Sequence, residues 1–185
     1  MDKELLDDAR SRMDKAVGAT RAEFNTVRSG RASTALLDRI HVDYYGTQTP
    51  LKQLATIAAP EPRLITITPY DKSAIKAVEK AIMESDLGLN PGNDGNVVRL
   101  PVPALTEERR KELVKLVHRL AEDGKVAVRN IRRDTMKELK ELVHAGEVGE
   151  DAEHRAEERL QKLTDEHTKA IDDQLKKKET EILEV

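Results

Sequence analysis

Four cations in one stretch of the chain are the side chains best placed to do chemistry. Lys125, Arg129, Arg132 and Arg133 fall within residues 124–133, a run without an acid in a chain whose 35 Asp and Glu outnumber its 32 Lys and Arg. On a helix Arg129, Arg132 and Arg133 stand at i, i+3 and i+4 and share one face. A planar guanidinium donates two parallel hydrogen bonds to a phosphate, so such a face suits RNA. The same residues suit a solvated face paired to an acidic neighbouring helix, and from the residues alone the two readings stand level. Arg28 and Arg31 flank Ser29-Gly30, where structural contacts at a junction are slightly favoured.

Catalytic constellations are missing. His41, His118, His144, His154 and His167 show no H-E-x-x-H spacing and no carboxylate at a metal-site interval. His167 falls on an apolar stripe and reads as a seam residue. The glycine-rich stretch from Gly88 to Gly95 lacks both the Lys-Ser/Thr ending of a phosphate loop and the oxygen pattern of a calcium loop, so a surface turn is expected. Without cysteine there is no disulfide, thiolate site or cysteine nucleophile. The residues therefore point away from an enzyme, a metal site or a cofactor.

The elements that must position the Arg face follow from periodicity. Residues 2–28 carry Leu6, Ala9, Met13, Ala16, Thr20, Phe24 and Val27 at helical spacing, ending at Ser29-Gly30. Ile40, Val42 and Tyr44 alternate with polar residues as in a half-buried strand, and Gly46–Pro50 reads as a turn. Leu54–Ala58 and Leu64–Thr68 are further strands, separated by a break at Pro60-Glu61-Pro62. Ser73 is a candidate cap for a short helix carrying Ile75, Val78, Ala81 and Ile82. Asn90–Asn96 is an emphatic turn before a last strand with Val97, Val98 and Leu100. Thr106 caps a helix whose apolar line is Leu113, Leu116, Leu120, Ala127, Ile131, Leu139 and Leu142. Gly124 offers a break at Asp123-Gly124, but the apolar phase is kept across it and favours one continuous helix. Gly146 and Gly149 frame a turn into a final helix with Ala156, Leu160, Leu163, His167, Ile171, Leu175 and Ile182.

Helices with one apolar stripe cannot stand alone in water. The short 146–149 connection makes the last two antiparallel neighbours, and the first must cover their groove. The expected fold is α+β: a long antiparallel three-helix bundle, residues 1–30 and 105–185, with a small β-rich domain, residues 31–104, inserted into it. If the middle helix starts level with residue 29, residues 129–133 lie near or past the N-terminus of the first helix.

Composition agrees with that architecture. Charged residues make up 36% and aromatics 2%, as when charges tile long solvated helices. Net charge is −3, yet residues 105–146 hold eleven Lys/Arg against eight Asp/Glu, while residues 147–185 hold seven against thirteen. The positive field is local, and local field is what a phosphate partner meets. No stretch reaches the ~18 apolar residues of a membrane span, and a charged start without an apolar signal core makes the cytoplasm the expected location.

With these residues in view, the chain resembles the ribosome recycling factors of bacterial type along its whole length. The resemblance is carried by Val27–Ser33, Tyr44–Leu51, Val78–Ile82, Asp86–Pro91, Leu105–Lys111 and Val126–Asp134. It implies an L-shaped molecule, a helical bundle with a β/α/β domain joined through two linkers, and a continuous middle helix. It implies that the protein, without cofactor, metal or catalysis of its own, acts with elongation factor G and GTP to split the post-termination ribosome into subunits. The bundle would lie on large-subunit rRNA and the smaller domain would face elongation factor G. The family's rRNA-contacting arginines match Arg28, Arg129, Arg132 and Arg133, with Arg31 and Lys125 as further candidates. The linkers would hinge at Ser29, Gly30, Arg31 and Ala32 and at Val102, Pro103, Ala104 and Leu105. A monomer with no membrane contact is expected. The alternative from a different class is a helical adaptor or chaperone that binds protein through its apolar seam.

Overall fold

The computed structural model describes residues 1–27 and 29–184, which divide into two compact units: residues 1–27 with 110–184, and residues 29–109.

The first unit is built on α1 (Asp2–Thr26), α4 (Glu107–His144) and α5 (Glu150–Leu183). Thr20 of α1 and Ile171 of α5 both lie against Gly124, and Asp14 meets His167, so α1 and α5 run parallel. α4 runs opposite to both: Arg12 meets Asp134, while Lys125 meets Asp172 and His118 meets Glu179. α1 ends sooner than the periodicity suggests, because Val27 turns to an extended conformation (φ −83°, ψ 121°) while its N–H still reaches Phe24 O.

α4 is one continuous helix through Gly124. Its buried line differs from the expected one. Val117, Ala121, Gly124, Val128 and Thr135 are buried beside Leu113 and Leu139, whereas Leu116, Leu120, Ala127, Ile131 and Leu142 are half-buried on the flanks. A helix facing two neighbours needs an arc broader than one stripe, and small residues at its centre let the helices approach. Gly124 carries that logic furthest: a Cβ there would overlap the Thr20 hydroxyl and stand 3.2 Å from Ile171 Cδ1. The buried threonines keep their hydroxyls satisfied by donating one turn back, Thr20 to Ala16 O (3.0 Å), Thr135 to Ile131 O (2.8 Å) and Thr164 to Leu160 O (2.8 Å).

Both ends of α4 are closed by side chain or backbone. Thr106 Oγ1 accepts from Arg109 N at 3.1 Å, the expected N-cap. At the other end Gly146 (φ 73°) is left-handed, with Glu147 N bonding Leu142 O and Gly146 N bonding Val143 O. That pair of bonds is a Schellman turn, and Val148 packs down behind it.

In the second unit β1 (His41–Tyr44) and β2 (Thr47–Pro50) form an antiparallel hairpin. The expected Gly46–Pro50 turn is therefore mostly strand. Tyr45 (φ 51°) and Gly46 (φ 82°) complete a two-residue turn, and the exposed Thr47-Gln48 shows no apolar alternation to betray a strand. One helical turn, α2 (Leu51–Leu54), leads to a four-stranded antiparallel sheet ordered β3-β4-β6-β5. Its strands are β3 (Ala55–Glu61), β4 (Leu64–Pro69), β5 (Gly92–Asn93) and β6 (Val98–Pro101). Pro60 does not break β3. It sits on the sheet edge at an irregularity between Ala58 and Glu61, where no ladder N–H is required. The short helix α3 (Ile75–Glu84) follows a 3-10 turn capped by Asp71, not Ser73: the carboxylate accepts from Ser73 N at 2.9 Å and Ser73 Oγ at 2.7 Å. The unit's core is aliphatic. Val42, Leu51, Ile65, Ile67, Val78, Ile82, Val98 and Leu100 are fully buried, which meets the packing demand of a small unit poor in aromatics.

Candidate nucleic-acid interface

The four cations of residues 124–133 share α4 but not one role. Glu122, one or two turns N-terminal on the same helix, holds two of them: its Oε1 accepts from Arg129 Nη1 at 3.0 Å and its Oε2 stands 3.6 Å from Lys125 Nζ. Lys125 also reaches across to Asp172 Oδ1 at 3.0 Å and is half-buried. The hydrogen bond from Arg129, with Lys125 nearby, holds the Glu122 carboxyl below its ordinary range. Among the described residues neither Arg132 nor Arg133 has a hydrogen-bond or ion-pair partner. Arg133 is exposed and Arg132 half-buried on the flank of the helix, its guanidinium uncommitted.

Pairing to the acidic third helix is the work of Lys125 through Asp172. Arg132 and Arg133 are available to an external anion, and an Arg without an internal carboxylate keeps its full fork for phosphate. The position along the bundle also differs from expectation. Asp134 meets Arg12 and Gly124 meets Thr20, so residues 129–133 lie level with the middle of α1. The middle helix starts well beyond the end of α1, because α1 stops at Thr26 and α4 already begins at Glu107.

Arg28 lies outside the described residues. Arg31 is exposed and belongs to the second unit. In the linker segments Gly30 is left-handed (φ 82°), and a Cβ there would stand 3.0 Å from Leu105 Cγ. Ala32 N donates to Pro62 O at 2.6 Å and Val102 N to Arg63 O at 2.8 Å, so both residues are stitched to the β3–β4 turn.

Four of the five histidines, His41, His118, His154 and His167, have close partners. His167 places Nδ1 2.6 Å from Leu163 O and Nε2 2.6 Å from Asp14 Oδ1, a seam residue tying α5 to α1. Among the described residues no three His, Cys, Asp or Glu converge as metal ligands, and no helix is long and apolar enough to cross a membrane. The acid-free signal that exposed residues 124–133 missed two features. One is Glu122, an acid just outside the run that holds two of its cations. The other is the continuation of the exposed line beyond Arg133 to Lys137, Lys140 and His144, legible only as spacings of four, three and four.

The family model for ribosome recycling factors matches residues 20–183. A ribosome-recycling factor of Rubrobacter xylanophilus is 57% identical over 180 residues, 97% of each chain, and one of Bacillus subtilis is 54% identical over 185 residues, the whole of both. Among solved structures, the solution structure of a ribosome recycling factor superposes with a TM-score of 0.82 at 45% identity, covering 100% of this chain and 98% of that one. A Thermus thermophilus ribosome recycling factor, described with Escherichia coli elongation factor G bound to the E. coli post-termination complex, matches with a TM-score of 0.68 at 46% identity over the whole of both chains. Likeness of that extent, in sequence and in fold, places the chain in the ribosome recycling factor family.

Proposed function

We propose that this protein, together with elongation factor G and GTP hydrolysed by that partner, splits the post-termination ribosome into subunits in the cytoplasm, with its helical bundle seated on large-subunit rRNA. Family members are non-enzymatic translation factors, and so is this chain. Family membership over the full length carries the reading, and the uncommitted guanidinium groups of Arg132 and Arg133 support the rRNA contact. Arg129 contributes after exchanging Glu122 for phosphate, while Lys125, bound to Asp172, contributes field more than contact. The apolar stripes of the three helices are spent on one another, which disfavours an adaptor that binds through its seam.

Movement of the two units about residues 29–32 and 102–105 belongs to the same reading. Leu105 against the left-handed Gly30 and the backbone bonds at Ala32 and Val102 leave few rotatable positions between them. The decisive experiment is subunit splitting of a post-termination complex with purified protein, elongation factor G and GTP, wild type beside Arg132→Ala. Splitting by wild type is expected. Arg132→Ala should weaken large-subunit binding by about 1–3 kcal/mol, because a charge-assisted hydrogen bond to phosphate is removed, and leave the melting temperature unchanged. Unchanged affinity at low and high salt removes Arg132 from the interface.

A further inference from the structure

Beyond Arg133 the outward side of α4 stays cationic to its end. Arg133, Lys137, Lys140 and His144 follow spacings of four, three and four, which places them on one line. That line is opposite the buried Val128, Thr135 and Leu139, so it is the part of the helix turned furthest from the bundle core. All four are exposed, and among the described residues none has an ion-pair or hydrogen-bond partner. This contrasts with Arg12, Lys125 and Arg129, which are each paired to a carboxylate. Between the side chains lies a shallow depression of about 540 Å³ lined by Arg133, Met136, Lys137, Lys140, Glu141 and His144. Its one acid, Glu141, stands against Arg133, Lys137 and Lys140, so the lining is net positive.

We propose that the row Arg133, Lys137, Lys140 and His144 is a second phosphate-binding segment that extends the Arg face along α4 to the far end of the bundle and takes an RNA backbone. The inference rests on the rRNA reading given above and deepens it. From position 133 to 144 the rise along the helix is about 16 Å, which spans several successive phosphates. The backbone along the row is anchored by the buried Thr135 and Leu139 and closed at its far end by the Schellman turn at Gly146. A row of three cations and a histidine donor at regular intervals, unpaired among the described residues, suits a regular polyanion. Arg133 and two Lys as cations and a His as donor give backbone affinity, and half-buried Met136 supplies an apolar floor for a ribose. An acidic protein segment is the competing occupant. Continuity with the uncommitted Arg132 and Arg133, whose planar forks match phosphate, favours RNA.

The test compares Lys137→Ala/Lys140→Ala with Arg132→Ala and wild type for binding to large ribosomal subunits across a salt series. Melting curves serve as the folding control, and Lys137→Arg/Lys140→Arg as the charge-preserving variant. The double alanine variant should bind about tenfold or more weakly at low salt. Its log affinity against log salt should be shallower by about 0.7–0.9 for each phosphate left without its cation, and the double arginine variant should restore both. A photoreactive side chain at position 141 should cross-link rRNA. If Arg132→Ala weakens binding while Lys137→Ala/Lys140→Ala leaves affinity and slope unchanged, the extension is wrong and the reading on which it rests stands. Cross-links to ribosomal protein alone overturn the RNA assignment. If Arg132→Ala and the double variant are both silent, the rRNA reading itself fails and takes this inference with it.

Discussion

Replacing Gly124 by alanine puts a methyl group where the structure has no room for one. In an exposed helix the change would stabilise by about 1 kcal/mol, the difference in helix propensity. Here the new Cβ overlaps the Thr20 hydroxyl and comes within 3.2 Å of both Thr20 Cβ and Ile171 Cδ1. Thr20 cannot yield cheaply, because its hydroxyl is bonded to Ala16 O at 3.0 Å and a β-branched side chain on a helix has few rotamers to move to. Overpacking of a tight core costs about 1–3 kcal/mol, so the propensity gain is cancelled or exceeded and the net loss reaches about 2 kcal/mol. For a chain of this size each kcal/mol lowers the melting temperature by roughly 2–4 °C. Thermal and urea unfolding of Gly124→Ala, Thr20→Ala and the double variant measure it. In the double variant the obstructing hydroxyl is gone, and a coupling energy of about 0.5–3 kcal/mol in favour of the pair is expected. A Gly124→Ala protein that melts higher than wild type, or a cycle with no coupling, would refute the close three-helix approach at this point.

Thr106→Ala removes the hydroxyl that accepts from Arg109 N and should cost about 1 kcal/mol, seen as a lower unfolding midpoint. Gly146→Ala meets no neighbouring atom, but its φ of 73° is costly for an L side chain, so about 1 kcal/mol is lost through backbone strain alone; a melt unaffected by Ala there would contradict the Schellman turn. Acid should loosen the second unit through Asp94, which accepts from Arg99 Nη1 at 2.7 Å and from Val97 N and Asn96 N at 2.8 and 3.0 Å. The Arg99 hydrogen bond, with those backbone bonds, holds its carboxyl well below the usual carboxylate range, and the Ser73 hydroxyl and N–H do the same more mildly for Asp71. Folded pKa values depressed in this way stabilise the fold above the unfolded value near ~4, and that stabilisation is lost as pH falls through the folded pKa. Melting temperature followed from neutral pH into acid should fall accordingly, and Asp94→Asn should be less stable than wild type at neutral pH with the gap closing in acid.

Much of the molecule was legible in the chain because its signals are local. Apolar residues three and four apart mark three helices, Thr106 marks the start of α4, and the acid-free run marks the Arg face. These depend on backbone geometry and hydrogen bonds between near neighbours, which sequence spacing encodes directly. The resemblance to ribosome recycling factors rested on irregular stretches such as Val126–Asp134 that no periodicity could have supplied. Other features depend on what comes close in space. Tyr45-Gly46 makes a tight hairpin whose second strand carries too little apolar pattern to be read, and Pro60 is tolerated only because β3 is an edge. Gly124 looks from sequence like a weak point in a helix, and only α1 and α5 pressing on it turn that glycine into a packing requirement. The Arg face shows the division most clearly. Residue types placed Lys125, Arg129, Arg132 and Arg133 together, but tertiary packing put Asp172 against Lys125 and, among the described residues, no carboxylate against Arg132. An ion pair needs its partner within a few ångströms, and which helix face turns toward which neighbour is settled by the packing of all three seams at once.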